Sequence, residues 1–322
     1  MMPAFDDLKV FTGNAHPQLA ESICDYLGIR LGRLNAFKFS NDNVFVQFLE
    51  NIRQRDVFIV QPFSYPVNDA IMEMLIIIDA AKRASAARIT AVIPYYAYGR
   101  TDKKDQSRVP ISARLLADLI TVAGADRVLT LDLHAGQIQG FFNIPVDELT
   151  ALPLLADHFH ERALPDPVVV AVDIGISKRA RDLAARIGAP LAIVEKRRIG
   201  NQERAESLNL IGDVAGKTAI TVDDEIDTAG SLLSAVQALE AAGARQVYAC
   251  CTHAILSGSA VPRITGSLLK EVVVTDSLPL LTGKESRKVI TLSVAPLLGE
   301  AIHRIHSGLS IGDMFGETFE PE

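Results

Sequence analysis

Short apolar runs and amphipathic stretches alternate along this chain from end to end. Apolar runs fall at 57–60, 89–93, 128–131, 168–172, 191–194, 218–222, 247–251 and 272–275. Continuous apolar runs of this length suit strands covered on both faces, and helical patterns between them predict parallel, doubly wound sheets in an α/β fold. Two of the intervening segments, 68–83 and 228–242, carry apolar residues at helical spacing. The second runs into Gly243, as a helix closed by a left-handed glycine should.

The pattern repeats. The helix leading to Ser85-Ala86-Ala87-Arg88 and the strand after it resemble the helix leading to Ala242-Gly243-Ala244-Arg245 and its following strand. Two related halves are expected, with a boundary near 149–153 and Pro165-Asp166-Pro167 turning into the first strand of the second half. Expected domains are therefore 1–150 and 151–322, with a tail, 303–322, returning to the first domain.

At 322 residues and 48% hydrophobic content, the chain is long enough for two full cores. With 32 basic and 39 acidic side chains the net charge is −7. The average surface therefore repels nucleic acid, and an anionic substrate needs local basic clusters. Cys24 and the adjacent Cys250 and Cys251 offer no disulfide framework or metal-ligand spacing and are expected as small core residues. The first residues lack the basic and apolar regions of a signal peptide, and no apolar stretch is long enough to cross a bilayer. No membrane partner and a cytoplasmic location are the corresponding expectations.

The chemistry concentrates in Asp223-Asp224-Glu225-Ile226-Asp227-Thr228-Ala229-Gly230-Ser231, between the run 218–222 and a helix. Backbone N–H groups and hydroxyls at a helix start hold a phosphate, and the paired carboxylates beside them suit sugar hydroxyls or Mg²⁺. In the first half the matching segment is Gln61-Pro62-Phe63-Ser64-Tyr65-Pro66-Val67-Asn68-Asp69, without paired carboxylates or glycine, so only the second half keeps a sugar-phosphate loop. His134 and Asp173 each follow a strand, where α/β proteins build sites; an Asx turn is an equal reading of Asp173. Arg100, Lys103, Lys104 and Arg108 lie on a turn-rich segment that suits a polyphosphate or, equally, a solvated loop. The polar stretch 195–207 is expected as a loop without structure of its own, a lid that brings Lys196 and Arg198 onto phosphate.

The segment 223–231 resembles the phosphoribosyl-diphosphate motif of the type I phosphoribosyltransferase fold. With Phe39-Ser40-Asn41, Asn68, Met72-Glu73, Val92-Ile93-Pro94-Tyr95-Tyr96, Asp132-Leu133-His134-Ala135, Gln137-Ile138-Gln139-Gly140-Phe141-Phe142, Lys196-Arg197-Arg198 and Ala249-Cys250-Cys251-Thr252-His253, the chain resembles the ribose-phosphate diphosphokinases from Lys9 to Phe315. The resemblance implies two tandem phosphoribosyltransferase-like domains and transfer of the diphosphoryl group of ATP to ribose 5-phosphate, with Mg²⁺ required. It further implies that Lys196 and Arg198 are catalytic, and that Phe39, Asn41, Asn43, Arg100, Thr101, Asp105 and Arg108 serve ATP. Arg198, Asp223, Asp224, Asp227, Thr228, Ala229, Gly230 and Ser231 would hold ribose 5-phosphate, and His134 and Asp173 would serve Mg²⁺. A homo-oligomer is implied, a hexamer of dimers in which Phe39 and Asn41 reach a neighbour's ATP.

Departures from that family pattern are Asn43 for Glu, Thr101 for Gln, Ile176 for a second glycine, and Glu225 for an apolar residue. Gly136 and Gly312 replace hydroxyl-bearing residues, while Arg53 keeps a regulatory position. Two other functions fit parts of the pattern. The changes at Asn43, Thr101 and Ile176 keep open a non-catalytic partner subunit, whereas the cations of 195–207 and the doubled domain argue against a phosphoribosyltransferase.

Overall fold

The computed structural model describes residues 7–198, 206–281, 283 and 286–315, with the side chains of all but 195–198 and 206–209. The chain forms two compact units, one holding the described residues up to Leu149 with Ser277–Pro279 and those from Val294 onward, the other Thr150–Asp276 and Leu280–Ser293.

In the first unit, β1 (Leu8–Thr12), α1 (Pro17–Leu27), the hairpin β2 (Leu34–Lys38) and β3 (Val44–Phe48), and β4 (Asp56–Val60) lead to α2 (Val67–Arg83). Then come β5 (Arg88–Ile93), α3 (Ser112–Ala123), β6 (Arg127–Leu131) and β7 (Val146–Leu149). The sheet runs β1-β4-β5-β6-β7, all parallel, with β2 and β3 pairing only with each other. All of β4 and five of the six residues of β5 are buried, which is why these strands read as unbroken apolar runs. Ile59 and Ile93 of the sheet and Met74, Ile78, Leu116 and Ile120 of the helices share one core.

The second unit starts with α4 (Leu152–Arg162) and continues through β8 (Pro167–Ala171), α5 (Ser177–Ile187), the hairpin β9 (Leu191–Arg198) and β10 (Glu206–Ile211), and β11 (Thr218–Ile226). It ends with α6 (Gly230–Ala241), β12 (Gln246–Ala254), α7 (Ala260–Gly266), β13 (Val272–Thr275) and β14 (Val289–Leu292). Its sheet runs β10-β9-β8-β11-β12-β13-β14, antiparallel only between β9 and β10. At the end of α6, Gly243 takes φ +84° and donates to the Glu240 carbonyl while Ala244 donates to that of Leu239, the glycine-closed end that the sequence predicts.

The repeat is visible in both units as strand, helix, hairpin, strand, helix. It extends to the amino edges of the sheets: Arg88 at the start of β5 pairs with buried Asp56, and Arg245 just before β12 donates to Thr218 (3.2 Å). All three cysteines are buried, and burial pushes the Cys24 and Cys250 thiols up to about 12.

The final helix, α8 (Ala295–Ser307), belongs to the first unit, so the segment that returns there starts at Val294 rather than at residue 303. It packs on α1, and its end meets Asp56, whose carboxylate accepts from Arg88 Nε (2.8 Å) and lies 2.8 Å from His306 Nδ1. Ile302 of α8 is fully buried. Ile302→Ala should cost about 3 kcal/mol in urea unfolding; a midpoint equal to wild type would show that α8 does not pack in this core.

Candidate active site

In the second sheet the chain winds one way from β8 to β9 and the other way from β11 to β14, so the order reverses between β8 and β11. Loops at such a reversal diverge and leave a crevice at the carboxyl ends of the strands. Asp173 follows β8 there, and Asp223 continues β11 immediately past its last pair with β8, Val222 with Ala171.

The sequence places Asp223 and Asp224 after a strand ending at residue 222; the structure instead carries β11 on to Ile226, held by β12 through the pairs Asp223 with Cys251 and Glu225 with His253. The carboxylates therefore sit on rigid backbone, with β8 no longer covering that edge. Asp224 and Glu225 are buried. Burial, then a hydrogen bond and the charge of Asp224, and to a smaller extent the charge of Asp173, push the Asp223 carboxyl up from 3.8 to about 8. Such a cluster favours a cation or hydroxyl donors at its open edge.

Beyond β11 the chain turns into α6. Asp227 accepts from the Ser257 hydroxyl, its carbonyl accepts from Ser257 N–H (3.1 Å), and Arg263 donates to the Thr228 carbonyl (2.9 Å). Ala229 takes φ +60° to start the helix, and no side-chain oxygen caps it. Thr228 and Ser231 are exposed at this end. Ser257 and Arg263 were not evident as site residues, because nothing in their local sequence marks two residues that brace a loop 30 positions away.

Lys196 and Arg198 lie in β9, which pairs with β8 only as far as Ile193 and with β10 up to Arg198 opposite Glu206. The stretch expected as a structureless loop is thus a β-ribbon at its base, with 199–205 outside the described residues. Alternating polar residues with a partner strand satisfy each other's backbone groups without needing a core. The ribbon leaves the sheet on the same carboxyl edge as Asp173 and Asp223.

In the first unit, Phe39, Asn41 and Asn43 form the turn of the β2–β3 hairpin. Phe39 N–H donates to the Asn43 carbonyl (2.8 Å), and the Asn41 side chain accepts from Asn43 N–H (3.3 Å). The Phe39 ring is 48% exposed and leans edge-on to Phe37 and Phe45, an aromatic patch held on a hairpin rather than in a core. Arg100, Thr101, Asp105 and Arg108 lie in irregular structure between β5 and α3, and Thr101 is tied by its N–H to the Tyr98 carbonyl (2.9 Å) and by its carbonyl to Ala113 N–H (3.3 Å). At Gly99 a Cβ would lie 3.3 Å from His134 Cβ, so this segment packs directly on the loop after β6. A cavity of about 560 Å³ opens beside it, lined among others by Tyr65, Asn68, Asp69, Tyr95 and Tyr98.

Among the described residues no three His, Cys, Asp or Glu side chains converge as metal ligands. His134 belongs to the first unit and Asp173 to the second. Asp173 Oδ1 accepts from Ile176 N–H (3.1 Å), three residues on, one residue further than the Asx turn that the sequence left open, and its second oxygen has no part in this bond.

Comparison with known proteins decides the family. Residues 8–124 match the N-terminal domain of ribose phosphate pyrophosphokinase, and residues 198–316 the phosphoribosyl synthetase-associated domain. Ribose-phosphate pyrophosphokinases of Clostridium acetobutylicum and Bacillus caldolyticus are 53% and 52% identical over 84% of this chain and 86% of their own lengths. The chain belongs to the ribose-phosphate pyrophosphokinase family.

Like those relatives, this member of the ribose-phosphate pyrophosphokinase family is an enzyme. The crystal structure of phosphoribosylpyrophosphate synthetase from Mycobacterium smegmatis, 42% identical, superimposes with a TM-score of 0.90 over 94% of this chain and all of that one. Two tandem α/β units are thus the architecture of this pyrophosphokinase, as the sequence pattern predicts. Ile176, where the family has glycine, stands at φ −89° just before α5, so its backbone is not in the positive-φ region that would call for glycine. Arg179, in the first turn of α5, reaches Thr252 (3.3 Å); it is a cation near the carboxylates that sequence reasoning passed over. No helix of the described residues is long and apolar enough to cross a membrane.

Proposed function

We propose that this pyrophosphokinase moves the β,γ-diphosphoryl group of ATP onto the anomeric hydroxyl of ribose 5-phosphate. The anomeric oxygen bonds to the β phosphorus, the bond from that phosphorus to the α–β bridging oxygen breaks, and the products are 5-phosphoribosyl 1-diphosphate, AMP and the hydroxyl proton. The observation that carries the reading is the carboxylate pair Asp223 and Asp224 on β11, immediately before an uncapped helix start at the sheet's point of reversal.

Asp223 and Asp224 accept from the ribose hydroxyls, and the N–H groups and hydroxyls of 227–231 bind the 5-phosphate. Lys196 and Arg198, carried beyond the sheet on the β9–β10 ribbon, offset charge on the transferring group, with Arg198 also meeting ribose 5-phosphate. Phosphoryl chemistry asks mainly for alignment and charge neutralisation, and these groups supply both. Arg100 meets the ATP phosphates, with Thr101, Asp105 and Arg108 on the same segment, and Phe39, Asn41 and Asn43 receive adenine.

Asp173 would give Mg²⁺ a carboxylate oxygen, the donor type this ion prefers, and His134 an imidazole nitrogen; with one protein donor at each place the ion would keep most of its waters, take substrate phosphates as further ligands and neutralise their oxygens. The elevated Asp223 carboxyl supports a cation requirement in the second unit. The exposed aromatic hairpin supports a homo-oligomer, a hexamer of dimers with ATP sites shared between subunits. Reduced, buried cysteines and net charge −7 fit a cytoplasmic enzyme without a nucleic-acid partner.

Purified protein given ribose 5-phosphate, ATP and MgCl₂ should release AMP in step with ribose 5-phosphate consumed. Well-folded protein that makes no AMP would point to a partner subunit, and a requirement for a nucleobase would point to a phosphoribosyltransferase.

A further inference from the structure

The two units differ in charge at equivalent places. In the second, the last pair between β8 and β11 is Ala171 with Val222, followed by Asp173 on one side and Asp223 on the other. In the first, the last pair between β1 and β4 is Thr12 with Val60, followed by Asn14 and Gln61. Asp173 and Asp223 of the second unit are thus matched by amides in the first.

Between those amides lies a carboxylate that the second unit lacks. Glu73, the seventh residue of α2, is buried, whereas the seventh residue of α6 is the apolar Val236. Glu73 accepts from Asn14 N–H (2.6 Å), Asn14 Nδ2 (2.7 Å) and Gln61 Nε2 (2.8 Å). Gln61 is wholly buried, and its Oε1 accepts from Ala15 N–H (3.2 Å), which fixes its amide with the nitrogen toward Glu73. Gly13 leaves room for the carboxylate: a Cβ there would stand 2.3 Å from Glu73 Oε1. Three donors converging on a fixed point past the carboxyl ends of two parallel strands make an anion site.

We infer that the first unit contains a built anion site whose occupant is the protein's own Glu73, a tethered carboxylate bound by the two amide residues that stand where the second unit has Asp173 and Asp223. The first unit is self-liganded at this point and takes no sugar phosphate there. The bond from Asn14 Nδ2 to the Ala36 carbonyl (3.1 Å) extends the arrangement to the β2–β3 hairpin, so the same carboxylate fixes the strand that leads to Phe39. This inference concerns the first unit alone and does not depend on where ribose 5-phosphate binds.

The test is thermal unfolding of the full chain as wild type, Glu73→Ala and Glu73→Gln, in sodium formate against sodium chloride of equal ionic strength. Glu73→Ala leaves the donors facing a cavity of carboxylate size; it should lose at least about 4 °C in Tm, and formate should restore about half of the loss while leaving wild type unmoved. Equal Tm values in the two salts for Glu73→Ala, or a wild-type Tm for that variant, would overturn the site. Should Glu73→Ala not fold, Glu73→Gln decides: its NH₂ group faces donors, so its Tm should also fall by at least about 4 °C without formate response, and a wild-type Tm would show that the charge is not needed.

Discussion

Lys196→Ala should lower the rate of AMP formation by about 10³-fold while leaving Tm within about 1 °C of wild type. The rate loss follows from removing a cation that offsets charge only as the diphosphoryl group moves, so kcat should fall while the KM values for both substrates change little. The unchanged Tm follows from backbone placement. Lys196 lies three residues beyond Ile193, the last residue of β9 paired with β8, and among the described residues its partner strand is β10. Steady-state kinetics and a melting curve on the same preparation check both halves. Activity within tenfold of wild type would remove Lys196 from the transfer step.

Asp223→Asn should lower kcat/KM for ribose 5-phosphate by about 10²-fold to 10³-fold, because a buried acceptor pair that recognises hydroxyls becomes half donor. The same substitution should raise the stability of the ligand-free protein, by an amount that depends on pH. The folded Asp223 carboxyl holds its proton up to about pH 8 and the unfolded one only to 3.8, so the folded state binds more protons throughout that interval. Stability from this group is complete below pH 3.8 and is lost as pH rises through 8. Asp223→Asn has no proton to lose there; its stability advantage should be smaller at pH 5 than at pH 8, level off above that, and reach about 2 kcal/mol once the shared titration with Asp224 is allowed for. A constant Tm difference across pH 5–9 would contradict the elevated carboxyl, and unchanged kcat/KM would remove Asp223 from the sugar site.

The apolar periodicity made the centre of each sheet legible. Seven of the eight apolar runs lie wholly in strands and the eighth, 168–172, overshoots β8 by one residue, because β4, β5, β6, β8, β11, β12 and β13 are covered on both faces and β9 is apolar where it joins β8. The strands it missed lie at the margins. β2 and β3 pair only with each other and stay partly exposed, β7 is Val-Asp-Glu-Leu, and β1, β10 and β14 are edge strands without a long apolar run. Asp223 to Glu225 read as a loop, since adjacent carboxylates disfavour a strand locally, yet pairing with β12 overrides that preference. The acidic pair and the helix start could be read because they lie within nine residues of sequence; the braces from Ser257 and Arg263, and the amide and carboxylate exchange around Glu73, depend on residues that only folding brings together.

That α8 completes the first unit also sets an order of events during synthesis. Asp56 and Arg88 leave the ribosome early, but Ile305 and His306, which bond to them, emerge only after the whole second unit has been translated. At about 5–20 residues per second the early half waits roughly ten seconds or more with that flank open. The second unit, which ends at Ser293, is therefore fully synthesised before the half that was begun first.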